Sequence, residues 1–167
     1  MLGILLSVPV LIVLTMLQTT VVKTLPLLRG TADLILLAIA VWALQERVRS
    51  SFEWAVLGGL IIGFLSGGPL IAYLAGYVGV AFIARFLRRR VWQTPILAMI
   101  LTTFVGTLLV RGLEMGMLIF QGDPLPVLDS INLVILPSAL LNLLLLLPMY
   151  ALVSDLARWV YPEEVEV

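Results

Sequence analysis

The sequence predicts an all-α integral membrane protein of about six transmembrane helices in a single membrane domain. Three observations predict it. Of the 167 residues, 62% are hydrophobic and the mean hydropathy is +1.16, more apolar surface than a soluble domain of this length can bury. The charged residues gather in short clusters between long uncharged stretches, the layout of loops between membrane spans. Several of those stretches reach the roughly 20 residues needed to cross about 30 Å of hydrocarbon.

The first span is expected over residues 2–22, retained rather than cleaved as a signal peptide, because no basic or cleavage-site pattern precedes Lys23. Pro9 lies inside it and is a kink candidate. Residues 31–45 form a second, short span, with Thr31 as N-cap and Asp33 in the first turn, where a carboxylate favours the helix dipole. Its brevity places Asp33 at the membrane edge or thins the bilayer there. Residues 54–84 carry no charge, too many for one span. Gly67-Gly68-Pro69 is a turn signal in their middle, so spans over 54–66 and 70–85 are expected as a hairpin. A fifth span covers 93–118 and a sixth 130–154, the latter containing Pro137 and Pro148.

Orientation follows from the basic residues. Arg47, Arg49, Arg85, Arg88, Arg89, Arg90 and Arg158 fall on one side of a six-span layout, and only Lys23 and Arg29 on the other. The positive-inside rule then puts both termini in the cytoplasm.

Ten Lys/Arg balance ten Asp/Glu, so no nucleic-acid partner is indicated. The chain has no Cys and no His. Disulfides, thiolate or imidazole metal sites and Cys or His catalysis are thereby excluded. No phosphate loop, paired catalytic carboxylates or nucleophile–base pair is recognisable. The expectation is a non-enzymatic protein without cofactor or metal.

The residues that stand out are those able to grip helices. Gly59, Gly63 and Gly67, and across the turn Gly76 and Gly79, repeat a small residue at one-turn spacing, which lets helix backbones approach closely. They form either a docking face for another membrane protein or the packing surface between the two hairpin arms, with Gly63 and Gly76 near the closest contact. Arg111 and Glu114 stand three apart on one helical face and can pair, either within the membrane or at its edge. Asn142 would lie near the bilayer middle, where an amide requires a helix partner. Ser138 could bond the carbonyls that Pro137 frees. Arg88-Arg89-Arg90 either attracts anionic lipid headgroups or simply fixes topology.

Taken together, the length, the span plan, the Gln18-Thr19-Thr20 end of the first span, Asp33 opening the second, and the Gly-rich stretch containing Leu65-Ser66-Gly67-Gly68-Pro69-Leu70 form a pattern. The basic Arg85–Arg90 run and Pro137-Ser138-Ala139-Leu140-Leu141-Asn142 complete it. Over essentially the whole chain it resembles the rod shape-determining protein MreD family. The resemblance implies a bacterial inner-membrane adaptor in peptidoglycan synthesis. It would partner the single-span protein MreC and, through it, the RodA glycosyltransferase, a penicillin-binding transpeptidase and the MreB filament of the elongasome. It also implies a fold similar to the substrate-binding subunits of energy-coupling-factor transporters. A small-molecule-binding transporter subunit is therefore the alternative expectation, and a holin-like or lipid-scrambling protein a third.

Overall fold

A computed structural model describes residues 2–20, 29–90 and 95–162. All regular structure among them is helical: α1 (Leu2–Leu5), α2 (Ser7–Thr20), α3 (Leu34–Leu44), α4 (Ser51–Leu65), α5 (Leu70–Arg90), α6 (Pro95–Phe120), α7 (Val127–Ser130), a π-helical turn (Ile131–Ile135) and α8 (Leu136–Val160). Four stretches are long and apolar enough to cross a membrane: Gly3–Thr20, Leu70–Arg90, Pro95–Phe120 and Val127–Val160. α3 and α4 are shorter apolar helices. Six apolar helical stretches thus lie close to the expected bounds, although residues 21–22 and 93–94 fall outside the described part.

The chain breaks at Leu6, between α1 and α2, one residue past Leu5, whose carbonyl the Pro9 ring would strike in a continuous helix. The Ser7 hydroxyl donates instead to the carbonyl of Ile4. α5 does not stop at Arg85 but runs on to Arg90, which sets three arginines at its C-terminus, where cations complement the dipole.

α3 is the axis of the bundle. Every residue from Leu34 to Ala43 is buried, and the helix touches α2, α4, α5, α6 and α8. A helix apolar on all sides belongs inside a bundle or in lipid. At 11 residues it is about 16 Å long, well short of the hydrocarbon, and the protein itself sheathes it. Asp33 at its start is enclosed by the protein, 3% exposed. Asp33, not Thr31, caps the helix, its Oδ1 accepting from the Leu36 N–H at 3.0 Å.

The bundle has a basic end and a turn end. At the basic end Trp42 and Trp54 stack with centroids 4.3 Å apart. Trp54 Nε1 donates to the Gly3 carbonyl and Gln45 Nε2 to Ser154 Oγ, both at 2.8 Å. Gly3 lies against Tyr161, so the two extremes of the described chain meet at this end. The Arg88 guanidinium donates to the carbonyls of Ala43 and Gln45, which closes the C-terminus of α3.

At the turn end Gly67 adopts φ +68°, a left-handed conformation that favours glycine. A Cβ on Gly59 would come within 2.8 Å of Leu74 Cα, and one on Gly63 within 3.1 Å of Leu70 Cα, so these glycines let α4 and α5 touch. Gly76 faces elsewhere. Its neighbour is Val110 of α6, with Cα at 3.2 Å from a built Cβ, and Gly79 meets Leu109 of the same helix. The expected closest approach of the hairpin arms at Gly76 is thus a contact with α6, because Leu70 and Leu74 lie on the face of α5 that meets α4, and Gly76 and Gly79 on another face that meets α6.

Candidate functional site

A group of polar side chains from the apolar helices converges at the turn end, around the start of α3. Pro137 begins the arrangement. Lacking an N–H, it leaves the Leu133 carbonyl without an intrahelical donor, and the backbone locally takes the wider π-helical turn, with Leu136 N–H bonding Ile131 O. The Leu133 carbonyl accepts from the Arg29 N–H at 3.1 Å instead. Ser138 does not bond the freed carbonyl. Its Oγ accepts from the Thr31 N–H at 3.0 Å. Gly30 between them lets the connecting segment lie directly on α8, since a Cβ there would stand 2.6 Å from the Ser138 nitrogen.

Asn142, fully buried, sits one turn further along α8. Its Oδ1 accepts from the Asp33 N–H at 2.7 Å and its Nδ2 donates to Thr107 Oγ1 at 2.8 Å. Thr107 passes the chain on to the Thr103 carbonyl. The amide therefore joins α8, α3 and α6 within one chain. The second Asp33 oxygen accepts from the Tyr77 hydroxyl at 2.8 Å, and Gln18 Oε1 accepts from the Leu34 N–H at 2.9 Å. The N–H groups of Asp33, Leu34 and Leu36, which the start of any helix leaves without intrahelical partners, thus bond to α8, α2 and Asp33 itself.

Arg111 and Glu114 complete the site. They form an ion pair at 2.9 Å, with 15% and 22% of their side chains exposed. The other guanidinium nitrogen donates to Thr31 Oγ1 at 2.9 Å, and Glu114 Oε1 accepts from the Tyr73 hydroxyl at 2.5 Å. Arg111, Glu114 and Tyr73 form one hydrogen-bonded cluster and Asp33, Asn142, Tyr77 and Thr107 another, the two being joined through the backbone from Thr31 to Asp33, and satisfied polar clusters in a low-dielectric interior fix the arrangement of their helices. A recess of about 210 Å³ opens beside them, lined by Thr15, Gln18, Asp33, Ser66, Tyr73 and Arg111. No cluster of three metal-ligating side chains occurs among the described residues.

Of the residues singled out by sequence, Arg111, Glu114, Ser138 and Asn142 belong to these clusters and Gly59, Gly63, Gly76 and Gly79 to helix contacts, whereas Gly67 packs on no helix, since a Cβ there would meet nothing within 4 Å and its left-handed φ serves the turn. Sequence marks Gln18, Thr31 and Asp33 as features of helix ends but not as members of one site, and it leaves Thr107 unmarked. For Tyr73 and Tyr77 the available signal is their one-turn spacing in a charge-free span. Two further glycines were overlooked. Gly112 and Gly116 repeat the same spacing on α6, and a Cβ on either would meet nothing within 4 Å. Beside them, Met115, Leu118, Leu125 and Ile135 line a groove of about 190 Å³ between α6 and the π turn, with Arg111 and Glu114 in its wall.

No family model, no curated protein and no solved structure matches the chain.

Proposed function

We propose that this chain is a non-enzymatic membrane adaptor that grips the transmembrane helix of a single-span partner. The observation that carries this reading is the unoccupied small-xxx-small face of Gly112 and Gly116. Small residues at this spacing permit close helix approach, which is the main source of attraction between helices in lipid. Gly59, Gly63, Gly76, Gly79, Ser138 and Asn142 already face other segments of this chain. The resemblance to the MreD family supplies the partner's identity: an MreC-like protein of the cell-elongation machinery in the bacterial cytoplasmic membrane.

The test is the double variant Gly112→Leu/Gly116→Leu. With open space at both positions, its thermal midpoint in detergent should match the parent. Recovery of the MreC-like partner should fall by on the order of tenfold, the loss of one close helix contact. Unchanged recovery would remove this face from the interface.

The recess beside Asp33 and Arg111 favours a second reading, a small-molecule-binding subunit of a transporter, because convergent polar groups in a concave site are what such a subunit needs. High-affinity vitamin binding by the purified protein, with cell shape unchanged on depletion, would put that reading first.

The orientation proposed from the arginines has its own check. Ser50 is buried against Trp42, so Glu46 and Gln121, both exposed and at opposite ends, are the better cysteine sites. In intact cells an impermeant thiol reagent should label Gln121→Cys and spare Glu46→Cys. The reverse pattern would invert the topology.

A further inference from the structure

At the basic end, four arginines follow one another on the last turns of α5, and they do different things. Arg88 turns inward onto the carbonyls of Ala43 and Gln45. The Arg90 guanidinium lies 5.6 Å from the centre of the Phe86 ring. Arg85 and Arg89 share the opposite edge of the helix with Phe82 and Phe86, because residues 82, 85, 86 and 89 follow the i, i+3, i+4, i+7 spacing of one helical face. Together with Phe52 of α4 they line a groove of about 350 Å³. Phe82 and Phe86 are 64% and 53% exposed, and the Arg85 guanidinium stands 5.2 Å above the Phe52 ring. Neither Arg85 nor Arg89 has an ion-pair partner among the described residues.

We infer that this groove is a binding site for one anionic phospholipid. The chemistry has two halves at the right depths. Arg85 and Arg89 lie one turn apart, close enough for both guanidiniums to reach a single phosphate diester, a group that the planar N–H fork matches. Phe82 lies a turn farther from the basic terminus of α5 than Phe86, and with Phe52 it offers an apolar wall to an acyl chain descending from that phosphate. A free phosphate would use the first half and leave the aromatic wall exposed, whereas a zwitterionic lipid would bring its own cation against the arginines. Basic pockets between helices at a membrane surface hold anionic headgroups on the same principle. The inference depends on the chain lying in a membrane and is independent of which partner helix it grips.

The experiment is native mass spectrometry of the full-length protein in detergent, titrated with phosphatidylglycerol and, separately, with phosphatidylcholine. Phosphatidylglycerol should bind the parent more tightly, and an equal concentration of inorganic phosphate should not displace it. The double variant Arg85→Gln/Arg89→Gln should lose affinity by on the order of 20-fold, two guanidinium contacts' worth. Arg158→Gln, which removes an exposed arginine paired with Asp155, should retain it. Equal binding of both lipids, displacement by inorganic phosphate, or an equal loss in the Arg158 variant would overturn the site. A photoactivatable phosphatidylglycerol added to the unaltered protein gives a reading that needs no variant to fold. Its acyl label should map to the peptide carrying Phe82, and labelling spread evenly over the lipid-facing helices would overturn the site as well.

Discussion

Replacing Arg111 by Met should destabilise the bundle by about 3 kcal/mol, the low end for breaking a buried ion pair because both side chains keep some exposure. The cost comes from the groups left behind. Glu114 would retain only the Tyr73 hydroxyl, and the Thr31 hydroxyl would lose its donor. Glu114→Met should cost a similar amount by leaving the guanidinium uncompensated. The double variant Arg111→Met/Glu114→Met removes both charges at once, so it should cost roughly 1 kcal/mol, the residue of the hydroxyl bonds that neither methionine can replace. Unfolding midpoints in a mixed-detergent titration would measure all three. Additive losses would mean two independent, water-solvated side chains.

Gly30→Ala should be nearly as damaging, at roughly 2 kcal/mol, within the range for overpacking a filled site. One methyl group is added, but its neighbours are the Pro137 Cβ and the Ser138 nitrogen, both 2.6 Å away, and the backbone there cannot swing aside. Movement of the segment would stretch the Arg29–Leu133 and Thr31–Ser138 hydrogen bonds together. Gly112→Ala provides the contrast, because its methyl group meets nothing and the substitution favours the helix. Equal loss in the two variants would show that glycine at position 30 is not required by the contact with α8.

The helix plan was legible because charge-free length and the Gly67-Gly68-Pro69 signal report directly on helices and their turn. The role of α3 was not, since an apolar helix reads the same whether lipid or protein surrounds it. Its shortness was the visible anomaly, and burial of both Asp33 and the helix is the physical answer. Arg111 and Glu114 could be paired from sequence because they lie within one turn. Asn142 and Asp33 could not, being 109 positions apart. The expectation that Asn142 reaches for another helix was sound in kind, but that helix belongs to the same chain, so Asn142→Leu is expected to weaken the fold rather than a partner contact alone. Spacing identified Gly76 as a contact residue without telling which neighbour it meets. Gly112 and Gly116 carried the same spacing and were masked by the charges that flank them.

The enclosure of α3 has a consequence for how the protein is made. A nascent chain that has emerged only as far as α3 holds an 11-residue apolar segment too short to anchor itself and an acidic residue with no amide to meet it. The groups that complete this segment, Tyr77, Thr107 and Asn142, arrive one after another during synthesis, the last when most of the chain has already been made. Packing of α3 into the bundle is therefore expected to finish only once α8 has been made. Ribosome-stalled intermediates ending before Asn142 should present this segment to insertion chaperones and membrane proteases, and those extending past it should not.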